Sequence, residues 1–279
     1  MRIASAGEIL WDVFPDAERL GGAAFNFAVH AHRLGHDVRF ISAVGNDDRG
    51  RRALAEMHRL GLATDFVKQV EHATGTVSVA IESGEPQYTI HRPAAYDFLE
   101  FDPPLIAFQP DWIYYGTLLS MNHPAAQVLE QILNSVPAKR FYDVNLRRNS
   151  FTPELVERLA SAADAVKLNE NELAELGWNL ENLPAHYKCV TRGDRGCIVM
   201  IGDDRAECEA YPVQVADTVG AGDAFSAAFL HGIDQEWSAA KIGDFANRVA
   251  ALIVSRAGAI PEWSLDEVPQ TDGPGYNWG

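Results

Sequence analysis

Cysteine is scarce in this chain: Cys189, Cys197 and Cys208 are its only three in 279 residues. An odd number at these spacings builds neither a disulfide framework nor a zinc site, so they read as reduced core or strand residues. Long hydrophobic runs are missing too: no stretch approaches about 18 uncharged apolar residues, which excludes a transmembrane helix from the expectations. The first ten residues set Glu8 inside their only apolar stretch and offer no small-residue cleavage site, so no signal peptide is expected and a soluble cytoplasmic protein is. Positive charge is in deficit, 23 Lys and Arg against 39 Asp and Glu, for a formal net charge of -16. No basic run is longer than Arg51-Arg52 or Arg147-Arg148, so a nucleic-acid backbone would be repelled and is not an expected partner. What the chain does have, 47% hydrophobic and 22% charged residues, is ordinary for a packed globular protein and excludes disorder for most of it.

Repeats, low-complexity tracts and long linkers are absent, and 279 residues suit one large α/β core with at most a small appendage. Short apolar or β-branched runs at Arg2–Gly7, Asp37–Val44, Trp112–Tyr115, Arg140–Val144, Ala165–Leu168 and Tyr187–Thr191 read as strands. Helical periodicity over Ala23–Leu34, stopped by Gly35, and over Asp48–Leu60, stopped by Gly61, alternates with them. Such alternation implies a mainly parallel sheet covered on both faces. Two segments break the pattern, Leu10–Leu20 and Thr74–Arg92, whose strict apolar/polar alternation predicts strands with one wet face. Ser83-Gly84-Glu85-Pro86 supplies a hairpin turn in the second, so both read as a small lid sheet inserted in the large domain. Thr271–Gly279 reads as a loose tail.

Ligands of an open parallel sheet bind outside the carboxyl ends of its strands, so the residues just after each strand carry the chemistry. Four clusters qualify: Glu8 with Asp12, Asp143 with Asn145 and Arg147, Asn169 with Glu172, and Thr191 with Arg192 and Gly193. Gly220-Ala221-Gly222 then opens a late helix, where free N–H groups and the positive helix end form a ready anion site. It matches neither GxxxxGK[ST] nor GxGxxG. Asp223 follows at once, and two readings stand: a carboxylate that caps the helix, or one that accepts the proton of a hydroxyl attacking a γ-phosphorus. Asn169 and Glu172, three apart at a helix start, fit either a capping box or oxygen ligation of Mg²⁺ through water. Arg147 and Arg192 are the cations best placed to meet phosphate oxygens, or are solvated surface charges. Gly21-Gly22 opens the first helix and Asn26 lies one turn in; with Asp12 it makes a donor and acceptor array suited to a polyhydroxylated ligand, the alternative being a satisfied core amide. His32 and His36 have i,i+4 spacing, but Gly35 interrupts the helix between them and no acidic residue completes a metal site.

Five segments in order resemble the ribokinase/phosphofructokinase B family of sugar kinases. They are GGAAFNFAVHAHRLG from Gly21, DTVGAGDAF from Asp217, KLNENEL from Lys167, VTRGDRG from Val190 and FANRVAALIVSRAGA from Phe245. GEILWDVFP from Gly7 and AAYDF from Ala94 are similar to its fructokinase branch. The resemblance implies a ribokinase-like three-layer α/β/α domain over residues 1–279, with lid segments at about 10–20 and 74–93, acting as an ATP-dependent kinase of a small neutral sugar, fructose first. It implies Asp223 as the base, Gly220, Ala221 and Gly222 as the anion hole and Arg147 near the phosphates or sugar. Asp12, Gly22, Asn26 and Asn145 would serve the sugar, and Arg192, Gly193, Thr218 and Asn247 would border ATP. Asn169 and Glu172 would position Mg²⁺ through water, while Asp217 and Val219, with the loop Arg256–Gly258, match where many members hold a monovalent cation such as K⁺. Ala24 stands where the family has proline, and only a short stretch separates Asp12 from Gly21 in the lid. The exposed strand edges of a lid hairpin make a homodimer through the lid an expectation. Two other readings remain: a nucleoside kinase of the same fold, with Phe25, Tyr88 and Tyr96 as stacking surfaces, and a non-catalytic sensor of sugar or nucleotide.

Overall fold

The structure, a computed structural model, describes residues 1–82, 85–147 and 151–268. The Ser83-Gly84 turn and the tail Thr271–Gly279 lie outside the described residues. The chain begins with β1 (Arg2–Ala6), β2 (Leu10–Val13), β3 (Glu18–Gly21), α1 (Ala23–Arg33), β4 (Asp37–Gly45), α2 (Asp48–Arg59) and β5 (Val67–Val70). It continues with β6 (Gly75–Glu82), β7 (Glu85–His91), α3 (Pro104–Phe108), β8 (Trp112–Gly116), α4 (His123–Ser135), β9 (Lys139–Asp143), α5 (Pro153–Ser161) and β10 (Ala165–Asn169). Last come α6 (Glu170–Glu175), β11 (Tyr187–Thr191), β12 (Cys197–Ile201), β13 (Asp204–Cys208), α7 (Ala221–Asp234) and α8 (Ala239–Val254).

Nine strands form the large sheet in the order β13-β12-β11-β10-β9-β8-β1-β4-β5, parallel except for β12 and β13 at one edge. Strand β1 is flanked by β4 on one side and β8 on the other, so the connections diverge there and leave a crevice beyond the carboxyl ends of β1 and β8. Because side chains alternate across a strand, β8 sends Trp112 and Tyr114 to one face and Ile113 and Tyr115 to the other. The first face packs Phe27, Phe141 and Phe229 under α1, α7 and α8; the second packs Leu129, Ile132 and Val156 under α4 and α5. Phe27 stacks on Tyr114 with ring centroids 3.7 Å apart. Both sheet faces are therefore covered, giving the ribokinase-like three-layer α/β/α order the sequence implies. Among the described residues no helix is long and apolar enough to cross a membrane.

The lid is a four-stranded sheet in the order β3-β2-β6-β7. It is mixed: β2 pairs antiparallel with β3 but parallel with β6, because the chain travels through the large sheet between them. Helix α1 also differs from its expected amphipathic form, being buried along nearly its whole length from Ala23 to Ala31. It lies between the sheet and α7, and only its end at His32 and Arg33 is partly exposed. The edge pair β12 and β13 has no counterpart in the sequence reading, since Asp203-Asp204 between them hides a hairpin of mixed polarity.

The lid is anchored where β6 begins. Asp47 caps α2 by accepting from Gly50 N at 2.7 Å, and also accepts from Thr74 N at 2.8 Å and Thr74 Oγ1 at 2.7 Å. Thr74 Oγ1 in turn accepts from Gly45 N at 2.9 Å at the end of β4. Asp47→Ala is expected to lower stability by about 2–4 kcal/mol in urea denaturation, the sum of a lost cap and an unpaired buried threonine. A loss near zero would place the anchor elsewhere.

Candidate active site

Strand β1 is followed by Gly7 and Glu8, and the buried Glu8 carboxylate accepts from Ala23 N at 2.9 Å, supplying the cap that the α1 N-terminus otherwise lacks. Gly22 makes this approach work: its φ is 113°, and a Cβ there would sit 2.4 Å from the Glu8 carbonyl oxygen. One turn into α1, Asn26 Nδ2 donates to Asp223 Oδ2 at 2.8 Å, while Asn26 Oδ1 is buried without a partner. A buried amide oxygen left open in this way has an acceptor to offer a hydroxyl donor. Asp12 reaches the same space from β2; its Oδ2 lies 3.2 Å from where a side chain on Gly21 would begin.

Asp223 stands in the first turn of α7. Gly220 precedes that helix with φ +80°, and the Gly220-Ala221-Gly222 turn presents the first N–H groups of α7. Below the turn lies a buried network. Asp143 at the end of β9 accepts from Ser226 Oγ at 2.7 Å and Tyr114 OH at 3.1 Å, and Lys167 Nζ on β10 lies 3.2 Å from both its oxygens. Lys167 Nζ also lies 3.4 Å from where a side chain on Gly222 would begin. Lys167 is absent from the residues singled out by sequence; the available signal was a lysine in the otherwise apolar run Ala165–Leu168.

The electrostatics follow from burial. Desolvation raises Asp223 to about 7, against the Asn26 hydrogen bond that lowers it, and raises Asp12 to about 6, with Arg147 and Arg19 opposing. Desolvation pushes Glu8 up as well, Arg147 again among the opposing influences. Arg147 is thus the cation that Glu8, Asp12 and Asp223 share. Its NH1 donates to Asn145 Oδ1 at 2.6 Å, and Asn145 holds that bend with φ 39°.

Asn169 and Glu172 form a reciprocal capping box on α6: Glu172 N donates to Asn169 Oδ1 at 2.9 Å and Asn169 N to Glu172 Oε2 at 2.8 Å. Glu172 Oε1 accepts from Leu146 N at 2.7 Å, tying the capping box to the loop that carries Arg147. Each carboxylate oxygen thus keeps free lone pairs while its position is set by backbone. Among the described residues no three His, Cys, Asp or Glu converge to hold a metal directly. The donor set suits a hard cation that keeps its waters and takes phosphate oxygens.

Beside the turn opens a cavity of about 570 Å³, lined by Gly193, Thr218, Ala221, Gly222, Phe225 and Asn247 together with the apolar Val213, Val215, Ala250 and Val254. Asn247 Nδ2 donates to the carbonyls of Cys208 and Glu209 at 3.3 and 2.9 Å, holding the wall that leads to Val213. Ala250 and Val254 lie on α8 within the quoted segment from Phe245, whereas Val213 and Val215 escaped the sequence reading because single apolar residues in a loop carry no period. Arg192 does not line the cavity: NH1 donates to Glu207 Oε1 at 2.5 Å and NH2 to the Arg195 carbonyl at 3.0 Å. Asp217 is engaged on both oxygens, accepting from Val219 N at 3.1 Å, Gly258 N at 3.0 Å and Arg19 NH1 at 3.1 Å. Val219 itself is exposed.

A family model described as pfkB family carbohydrate kinase matches residues 16–265. An uncharacterized sugar kinase of Pyrococcus horikoshii is 30% identical over 95% of this chain and 94% of its own. Its structure in complex with ATP superposes with a TM-score of 0.85 at 27% identity, covering 95% and 96% of the two chains. A fructokinase of Klebsiella pneumoniae is 31% identical over 81% of this chain and 82% of its own. A fructokinase of Vibrio cholerae, solved with fructose, ADP and calcium, shares the fold at a TM-score of 0.80, with 24% identity and 93% and 94% coverage.

Asp223 gives a stability test independent of substrate. Its folded pKa near 7 exceeds the ordinary value of 3.8, so folding favours its protonated form, and that contribution is full below about pH 4 and is lost as pH rises through 7. Asp223→Asn should therefore be more stable than the parent at pH 8 in urea denaturation, by about 1–3 kcal/mol given its partial exposure to the crevice, with the gap closing toward pH 4. A gap independent of pH would show that the carboxyl ionises normally.

Proposed function

The chain belongs to the pfkB family of carbohydrate kinases, phosphotransferases with an alcohol group as acceptor, and we propose that it phosphorylates a small neutral sugar, fructose first, from MgATP. The observation that carries the proposal is the Asn26–Asp223 hydrogen bond, which holds a carboxylate of raised pKa beside the glycine turn. A base with a pKa near the working pH is best matched to taking a proton from a hydroxyl.

In this reading the sugar hydroxyl oxygen bonds to the γ-phosphorus as its proton passes to Asp223, and ADP leaves. The N–H groups of Gly220, Ala221 and Gly222 and the Arg147 guanidinium meet the charge on the transferring oxygens. Asp12, Gly22, Asn26 and Asn145 border the sugar, the open Asn26 Oδ1 accepting from one of its hydroxyls. Gly193, Thr218 and Asn247 border the nucleotide, while Arg192, turned to Glu207, serves it only by bracing the Gly193 turn. Asn169 and Glu172 would hold Mg²⁺ through its waters, and the ion would supply charge neutralisation to the phosphate oxygens. Asp217 and Val219 are the proposed monovalent-cation position.

A neutral acceptor is favoured because the lid cations already have partners. Arg92 Nε donates to Asp97 at 3.1 Å, Ser78 Oγ and His91 Nε2 share a bond at 2.6 Å, and Arg19 is paired with Asp217. An acceptor that already bore a phosphate would need such charges free. We also infer one kinase domain over residues 1–279, located in the cytoplasm, and a homodimer formed through the lid edges β3 and β7. Light scattering at micromolar concentration should give twice the 30.6 kDa chain mass; the monomer mass refutes the dimer.

The decisive experiment is ADP release from MgATP over fructose, ribose, 2-keto-3-deoxygluconate, adenosine, inosine and fructose 1-phosphate, with and without K⁺. Turnover is expected on fructose, with kcat/KM rising through pH 7 as Asp223 ionises. Asp223→Asn should lower kcat by about 10²–10⁴ while ATP still binds. Preference for a nucleoside would replace the sugar reading, and full activity of Asp223→Asn would remove that residue from the chemistry.

A further inference from the structure

Helix α1 carries a second polar side chain one turn beyond Asn26. His30 is completely buried, and at i,i+4 it shares the Asn26 face of the helix. Both ring nitrogens are engaged: Trp263 Nε1 donates to His30 Nδ1 at 3.0 Å, and His30 Nε2 lies 3.0 Å from the Ala259 carbonyl oxygen. An indole N–H only donates, so Nδ1 is the unprotonated nitrogen and Nε2–H is donated to Ala259. Burial keeps the ring neutral, its pKa pushed down to about 3.

The Ala259 peptide is what the glycine turn rests on. A Cβ on Gly220 would lie 2.4 Å from the Ala259 oxygen and 2.6 Å from its Cα, so the two backbones touch with no side chain between them. The same helix holds the next two carbonyls: Arg33 NH2 donates to Ile260 O at 3.2 Å and NH1 to Pro261 O at 2.5 Å. Arg33 is part-buried at the rim, whereas His30 grips the one carbonyl that bears on Gly220.

We infer that His30, with its tautomer set by Trp263, is a positioning residue for phosphoryl transfer that seats the Ala259 peptide against Gly220 and so aims the N–H groups of the 220–222 turn. Asn26 and His30 then place the base and the anion hole from one helix face, and their relative geometry is as rigid as a single helical turn. The inference rests on the kinase reading of the site. Donors of an anion hole lose their effect with small displacements, so the cost falls on kcat and leaves ground-state binding nearly untouched.

Three variants of the full chain test it on whichever acceptor the parent turns over. His30→Leu keeps the bulk and removes both bonds; kcat should fall by about 10–100-fold with KM for sugar and ATP within about threefold. Trp263→Phe keeps the aromatic packing but frees the tautomer, and kcat should fall by about 3–10-fold. His30→Gln offers one donor and one acceptor, and should recover kcat to within about threefold of the parent. Unchanged kcat in the first two, failure of glutamine to recover a loss, or a KM increase that accounts for the loss overturns the inference. If His30→Leu does not fold, Trp263→Phe and the imidazole ¹⁵N spectrum of the parent decide: an Nδ1–H tautomer overturns it as well. A parent inactive on every acceptor overturns the kinase reading and this inference with it, whereas an active parent with unaltered variants overturns this inference alone.

Discussion

The buried Asp143 carboxylate is the constraint on which the rest of the site depends. It is wholly inaccessible and is satisfied from three directions, by Tyr114 of β8, Lys167 of β10 and Ser226 of α7. An isolated carboxylate in such a place would cost several kcal/mol, so the three partners are obligatory and their elements must arrive together. Their arrival sets α7 at one height over the sheet, because the single Ser226 hydroxyl proton goes to Asp143 from a position one helical turn after Gly222, whose carbonyl oxygen lies 2.9 Å from Oγ. The glycine turn above is thereby referred to the sheet through charge, and to α1 through the Asn26–Asp223 bond. Breaking either reference moves the turn relative to the crevice.

Above that floor the crevice is acidic. Glu8, Asp12 and Asp223 are all raised by desolvation, and Arg147 is the cation they have in common. Close carboxylates share a small region of low dielectric only if some stay protonated or a cation intervenes. Among the described residues Asp223 in addition receives one side-chain hydrogen bond in its favour, from Asn26, and feels the charge of Asp143. A site selected for stability alone would exchange Asp223 for a neutral residue; a site that must hold a base ready near neutral pH keeps it. The glycines are part of the same arrangement, since a side chain on Gly22 would strike Glu8 and one on Gly220 would strike Ala259.

What sequence could and could not deliver divides along physical lines. The parallel core was legible because strands such as Trp112–Gly116 are apolar on both faces and alternate with helical periodicity. The glycine turn with Asp223 and the Gly22–Asn26 entry were legible as places, because glycines before a helix start stand out, but each kept a structural reading, a cap or a core amide, beside the functional one. Charges were harder. Arg192 and Lys167 look equivalent as isolated basic residues, yet Arg192 turns to Glu207 while Lys167 is buried against Asp143, and only pairing across distant strands separates the two. Asn169 and Glu172 presented capping and metal ligation as alternatives, whereas the geometry makes the cap the device that fixes the carboxylate. The β12–β13 edge went unread because Cys197–Ile201 is a continuous apolar run and Asp204–Cys208 a mostly polar one, so the alternation of burial along both strands leaves no alternation in the sequence.

The histidines show the same limit from the other side. His30, His32 and His36 look like a cluster in sequence, but helical geometry and the break at Gly35 send them to separate surroundings. His36 Nε2 meets His231 Nδ1 at 3.0 Å, far along the chain, while His30 meets Trp263 and Ala259. A buried neutral histidine is costly unless both nitrogens are matched, and here a donor-only indole and an acceptor-only carbonyl match them in one sense. The residues that complete the match lie beyond α8, in a segment with no periodic signal. The orientation of the glycine turn therefore depends on a long-range pairing between α1 and the segment after α8.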